Sequence, residues 1–262
     1  MASGLGEVEL KFATSITAPL FWVIRRNDGT KVPRNGSAFF LNTGQKSFGV
    51  TAAHVLEGWC EDKNREDVEV LQLGNDLPFD DLESRLIHFH RDIDIATFDI
   101  SESEVSSIGK TILTGNNKTW PPPPPMERKG VYISGFPGVE TIGSAQDEIS
   151  FGAASGSGIA HSISDLDVSS LMEREHLIGV LGEGIPPENF NFSGMSGGPM
   201  ITAVEHNGIR SWRLAGVIYE GPNPSGNGTQ GIPGFELFKA RRTDFILADG
   251  MLNVEHWDSL HP

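Results

Sequence analysis

The stretch NFSGMSGGPM, residues 191–200, sets three glycines and a proline around one serine, Ser196. Glycine lets the backbone take φ > 0 or approach another group closely, and it weakens any helix or strand it occupies. Crowding glycines here implies an unusual backbone turn at Ser196. GMSGG also satisfies G-x-S-x-G, the pattern of a strand-to-helix turn that exposes a serine. The run after the serine, GGPMITAV, opens on glycine and proline and continues with β-branched residues, a poor start for a helix. The acid and histidine that pattern requires downstream would have to be Asp249 and His256, squeezed into the tail. The helical version is rejected, and the stretch predicts a turn leading into a strand.

Outside this stretch, strand signals dominate. ITAPLFWVIRR ends at the turn signal NDG, and GSAFFLN, TGQ and SFGVTAAHVL come next. Short apolar runs at this spacing predict a barrel or a sandwich, not alternating βαβ units. In ESRLIHFHRDIDIATFDI the apolar phase shifts at Ile95–Ala96, which predicts a bulge. NNKTWPPPPPMERKG, 116–130, holds five consecutive prolines and predicts a stiff polyproline connector, with an SH3- or WW-type docking segment as the second reading. GVYISGFPG, HLIGVLG, GPMITAV and WRLAGVIY restart strands, and GFELFKARRTDFILADGML, 234–252, reads as the best helix. The expected organisation is one unit over 1–262. It has an N-terminal half over 14–115, the connector over 116–130, a C-terminal half over 131–235, and a helix and tail over 236–262.

Composition narrows the function classes. Twenty Lys and Arg against 35 Asp and Glu give a net charge of −15, which disfavours a phosphate-tracking nucleic-acid binder. The single cysteine, Cys60, allows no intrachain disulfide, which fits a reducing compartment. It reads as a packing or surface thiol. The start, MASGLGEVELKF, lacks the charged and apolar regions of a signal peptide, and no apolar run approaches membrane-spanning length. A cytoplasmic protein is expected, without membrane or nucleic-acid partners. His88 and His90, two apart with Asp92 beyond, share a strand face. A metal there lacks a fourth ligand at useful spacing, so a solvated face is expected and no metal or other cofactor. GEGIPPEN, 182–189, reads as a loop at the rim of the site.

SFGVTAAHVL places His54 after a strand-like run, and DIDIATFDI places Asp94 before another. With GSAFFLN, VYISGFPG, GMSGGPMI and LAGVIYEG, they fall in the order His, Asp, Ser. In this the chain resembles the trypsin-like (chymotrypsin-fold) serine peptidases, most of all the bacterial, disulfide-free HtrA-like branch. The resemblance implies an all-β fold of two antiparallel six-stranded β-barrels with a C-terminal helix. It implies a serine endopeptidase in which Ser196 is the nucleophile, His54 the general base and Asp94 its orienting acid. The amides of Gly194 and Ser196 would form the oxyanion hole. Asp92 is the competing carboxylate, but Asp94-Ile95-Ala96 fits the family's acid–aliphatic–small pattern better.

The same resemblance assigns substrate binding to Phe190, Phe192, Tyr219, Glu220 and Gly221, with the main chain of 219–221 adding a substrate strand. No acid stands at Phe190, so an uncharged, small-to-medium apolar residue is expected before the scissile bond; Glu220 could favour Lys or Arg in a neighbouring subsite. Met195 stands where digestive members carry the aspartate that pairs with a processed N-terminus, so activation by that route is not expected. About forty residues follow Gly221, too few for the PDZ module of HtrA-type enzymes. The implied partners are a protein or peptide substrate and an activating protein, as for stand-alone bacterial effector proteases. The alternative is a catalytically silent module of the same fold that binds a peptide by strand addition.

Overall fold

The computed structural model describes residues 5–74, 77–138, 141–143, 149–178, 186, 190–222 and 234–261. Helix α1 (Leu5–Ser15) leads into β1 (Thr17–Arg25), β2 (Lys31–Asn42) and β3 (Ser47–Thr51). Helix α2 (Ala53–Arg65), β4 (Asp67–Leu73), β5 (Leu77–Pro78) and α3 (Leu82–Arg85) come next, then β6 (Leu86–His90), β7 (Ile95–Phe98), α4 (Glu102–Ser107) and β8 (Leu113–Thr114). Their sheet runs in the order β5-β4-β1-β2-β3-β7-β6, with β8 beside β2. The second lobe holds β9 (Gly130–Gly135), β10 (Thr141–Gly143), β11 (Ile149–Phe151), β12 (Ala154–Ile163), β13 (Asp167–Glu173) and β14 (Leu177–Ile178). It is completed by β15 (Pro199–His206), β16 (Ile209–Glu220), β17 (Phe235–Arg242) and helix α5 (Val254–Leu260). Its main sheet runs β13-β17-β16-β15-β9-β12-β14, and the further pairing of β12 with β13 closes six strands into a barrel. The all-β, two-lobed chymotrypsin-type architecture is therefore as expected, with short extra strands widening the first lobe's sheet.

Strand alternation divides the apolar residues among three cores. Ala18, Leu20, Trp22 and Ile24 of β1, with Ala38 and Phe40 of β2, pack under Val55, Leu56 and Trp59 of α2. The intervening Phe39 and Leu41 face the other way, into a core shared by both lobes with Phe48, Val50, Ile95, Ile201, Leu214 and Val217. Val131, Ile133, Val168, Met172, Met200 and Phe238 fill the second barrel. Each fully buried side chain of this kind contributes about 1.5–3 kcal/mol. A shared apolar core on this scale makes the lobes a fixed pair, whereas a small polar contact would leave them mobile.

This double-sided burial explains the apparent phase shift at Ile95–Ala96. Ile95 enters the shared core while Ala96 and Phe98 enter the first lobe's own core, so β7 is buried on both faces and carries no bulge. The register irregularity lies in its partner strand, between Leu86 and His88. The expected helix over 234–252 is also corrected. Phe235–Arg242 is a strand, and the helix is Val254–Leu260, capped by the Asn253 side chain. The inward-facing Glu236 is buried and accepts two hydrogen bonds from Arg174, at 3.0 and 2.8 Å. A carboxylate in a core position disguised the alternation. Of HLIGVLG, only residues 176–178, with β14, lie within the described residues. The proline connector is fastened to the second lobe by the Trp120 indole N–H, which donates to the Ile246 carbonyl at 2.7 Å. No helix among the described residues is long and apolar enough to cross a membrane.

The lobes meet at backbone distance where the 194–197 turn crosses β2. The Ser37 N–H donates to the Ser196 carbonyl at 2.8 Å, and the Ser37 hydroxyl donates to the Gly194 carbonyl at 2.7 Å. Gly197 has φ +87°, and a Cβ there would lie 2.0 Å from the Ser37 carbonyl and 2.4 Å from Thr51 Oγ1. Both neighbours are held in hydrogen bonds and cannot step aside. Gly197→Ala is expected to lose about 3 kcal/mol, a fall in melting temperature of roughly 6–12 °C. An unchanged melting curve would show that the turn is slack.

Candidate active site

His54 is the second residue of α2, whose N-cap, Ala52, supplies no side-chain acceptor. The first turn of a helix leaves N–H groups without partners and carries partial positive charge. Asp94 supplies what the helix lacks: its Oδ1 accepts the His54 backbone N–H at 2.9 Å. The same carboxylate reaches the His54 ring, with Oδ2 2.8 Å and Oδ1 3.1 Å from Nδ1. This fixes Nδ1 as the protonated nitrogen and leaves the Nε2 lone pair free. The aim of the carboxylate comes from a tight turn in which Asp94 has φ +58°. Its N–H donates to the His90 carbonyl at 3.0 Å and the Arg91 carbonyl at 3.1 Å. Asp92 is exposed, and it is Asp94 that the fold brings to His54.

Ser196 comes from the second lobe, on the turn between Phe192 and β15. Gly194 has φ +102°, and a Cβ there would lie 2.6 Å from the Phe136 carbonyl and 2.7 Å from Asn35 Nδ2. Only glycine fits. The turn is closed by the Met195 N–H donating to the Phe192 carbonyl at 3.1 Å and the Gly198 N–H to the Met195 carbonyl at 3.0 Å. Gly197 N–H bonds the Ile218 carbonyl at 2.7 Å. Among the described residues, no acceptor takes the N–H of Gly194 or of Ser196. Both amides are therefore available to a ligand, and backbone N–H groups at a turn are a common means of binding an anion. The Ser196 hydroxyl donates to the Tyr219 carbonyl, at a long 3.5 Å.

His54, Gly194 and Ser196 line one cavity of about 500 Å³ between the lobes. Phe192, Tyr219, Glu220 and Gly221 line it as well. Phe190 does not; it packs edge-on against Phe192, which packs likewise on Phe238 of the barrel. The Glu220 carboxylate is held by Lys239 at 3.0 Å. Burial, reinforced by the Asp167 charge, pushes the Tyr219 phenol well above its usual range, so its hydroxyl stays protonated. Sequence reasoning missed Trp22, Arg34 and Asn35, which line the same cavity from β1 and β2. It also missed Ser37, whose partners Gly194 and Phe136 lie more than ninety residues away, so no local pattern could have revealed it.

Met195 is buried in the second core, where it makes no ion pair. Cys60 is half-buried, and desolvation raises its thiol further from reactivity. Of GEGIPPEN, only Pro186 falls within the described residues. Among the described residues, no three His, Cys, Asp or Glu side chains gather as metal ligands. His88 and His90 are not a solvated face. Both are half-buried; His88 Nδ1 accepts the Leu252 N–H at 2.8 Å and His90 Nδ1 accepts the Ile93 N–H at 3.2 Å.

No family model matches the chain, and no curated protein matches it. Among solved structures, the serine protease domain of the Sesbania mosaic virus polyprotein is 14% identical, with a TM-score of 0.39 over 86% of this chain and 93% of that one. Another comes from work on aromatic interactions driving the coupled folding and binding of the intrinsically disordered Sesbania mosaic virus VPg protein. It is 16% identical, with a TM-score of 0.40 over 87% of this chain and 92% of its own. Both scores lie under 0.5, so the chemistry rests on the site's own residues.

Burial, and then the neighbouring His90, hold the His88 imidazole below its ordinary value of 6.5. Protonation would also abolish the acceptor that Leu252 uses. Because the folded value is depressed, the stabilisation is present above the ordinary value and is lost as pH falls through the folded one. The melting temperature should drop as pH falls below the ordinary value of 6.5, and His88→Gln, which keeps an acceptor but cannot titrate, should drop less. Parallel curves for the two proteins would contradict this.

Proposed function

We propose that the protein is a serine endopeptidase in which His54, Asp94 and Ser196 act as a catalytic triad. The observation that carries the reading is the Asp94 carboxylate at 2.8 Å from His54 Nδ1, beside a cavity into which Ser196 opens. A serine hydroxyl becomes a useful nucleophile when a base takes its proton as it attacks. Ser196 Oγ would add to the scissile carbonyl carbon while its proton passes to His54 Nε2. The carbonyl oxygen, now an anion, would be stabilised by the Gly194 and Ser196 amides. Collapse would break the C–N bond, with His54 returning the proton to the leaving amine and leaving an acyl-serine. A water deprotonated by His54 would then release the acid and restore the serine. The imidazolium formed in each half would be stabilised by Asp94.

Ser196 Oγ contacts the Tyr219 carbonyl at 3.5 Å and makes no hydrogen bond to His54 among the described residues, and catalytic hydrogen bonds commonly tighten only when substrate binds. The contact also supports the second reading, a silent module that holds a peptide against 219–221 by strand addition. An activating protein partner would act by drawing Ser196 off the Tyr219 carbonyl. Specificity follows from the cavity wall: Phe192 supplies an aromatic side, and Lys239 neutralises Glu220. An uncharged apolar residue before the cleaved bond fits it best.

A quenched peptide library tests both points. Cleavage should fall after apolar residues, vanish in Ser196→Ala, and drop about 10⁴-fold in Asp94→Asn. Lys239→Met, which frees Glu220, should raise the share of cuts near Lys or Arg. Cleavage that survives Ser196→Ala would overturn the assignment, and peptide binding without turnover would favour the silent module.

A further inference from the structure

Arg241, on β17, is buried at the seam between the lobes, only 7% exposed. Its Nε donates to the Ile93 carbonyl at 2.8 Å and its Nη1 to Asp167 Oδ1 at 2.8 Å. The guanidinium carbon lies 4.8 Å from the Tyr219 ring centre and 4.9 Å from that of Trp257 on α5. The Asp167 carboxylate lies close enough to the Tyr219 hydroxyl to favour its protonated form, and the Tyr219 carbonyl accepts the Ser196 hydroxyl at 3.5 Å. One side chain thus touches the peptide just before Asp94 and the residue that faces the nucleophile.

The contact with Ile93 is the informative one. The Ile93 carbonyl and the Asp94 N–H belong to a single planar peptide. Arg241 holds the oxygen end, and the His90 and Arg91 carbonyls hold the nitrogen end at 3.0 and 3.1 Å. A peptide gripped at both ends fixes the turn from which the Asp94 carboxylate is aimed. Replacing a buried ion pair by apolar groups of similar volume is often neutral for stability, so stability is a weak reason for a guanidinium here. Direction is what its rigid fork of N–H donors supplies.

We infer that Arg241 is a positioning residue of the site: it sets the aim of Asp94 on His54 from the opposite lobe, braced by Asp167, Tyr219 and Trp257. The inference rests on the reading of His54, Asp94 and Ser196 as a triad. The test is the rate at which the full-length protein is labelled by a fluorophosphonate, measured across pH, with melting curves to verify folding. Arg241→Met should fold and label about 10- to 100-fold more slowly, as for a misplaced catalytic group. Arg241→Lys should recover part of that rate. Added guanidinium ion, at concentrations below those that denature, should rescue Arg241→Ala.

In an Asp94→Ala background, Arg241→Met should slow labelling no further, because the group it positions is gone. If Arg241→Met does not fold, Asp167→Asn, which loosens one brace and keeps the cation, takes its place with the same expectation. Wild-type protein that labels, with Arg241→Met labelling equally fast or losing as much again without Asp94, would overturn this inference alone. Wild-type protein that labels neither alone nor in lysate from its native host would overturn the triad reading, and this inference with it.

Discussion

The site depends first on a backbone contact between two lobes that are far apart in sequence. His54 and Asp94 are carried by the first lobe and Ser196 by the second, so no local element can hold the three together. The contact that does so is Ser37 against the 194–197 turn, where one residue's N–H and hydroxyl reach the carbonyls of Ser196 and Gly194. Such an approach excludes a side chain at Gly197, which would strike the Ser37 carbonyl. The shared apolar core around Phe39, Phe48, Ile95, Leu214 and Val217 presses the lobes together without direction. The hydrogen bonds at Ser37 convert that pressure into a defined alignment, since they fail within a few tenths of an ångström.

The same division of labour recurs in the charges. The chain is strongly acidic, and three carboxylates around the site are each given a counterpart. Asp94 sits at the amino end of α2 against His54, Glu220 against Lys239, and Asp167 against Arg241. Burial works against ionised Asp167, and Arg241 and the Tyr219 hydroxyl work for it.

Much of this was legible in the sequence because it is written locally. Glycines around Ser196 signal a turn, and alternating apolar residues signal strands. The match of Asp94-Ile95-Ala96 to the pattern of the resembled family favours Asp94 over Asp92, and Asp94 is the carboxylate found beside His54. The failures occur where a long-range partner inverts the local rule. Phe235–Arg242 reads as helix because Glu236 occupies a core position of the strand, where Arg174, 62 positions away, pairs with it. Ile95 and Ala96 read as a bulge until two cores are seen on either side of one strand. His88 and His90 read as solvated because a histidine that accepts a backbone N–H leaves no periodic trace. Ser37 and Arg241 were invisible for the same reason, their partners lying 157 and 148 positions distant.

The central claim is that Ser196 is chemically singled out among the chain's serines by the imidazole of His54. The most direct measurement is the site and stoichiometry of covalent phosphonylation, read by intact mass and peptide mapping after treatment with a fluorophosphonate. The account predicts one phosphonyl group per chain, on Ser196, and none in His54→Ala. Label spread over several serines, or undiminished without His54, would contradict it.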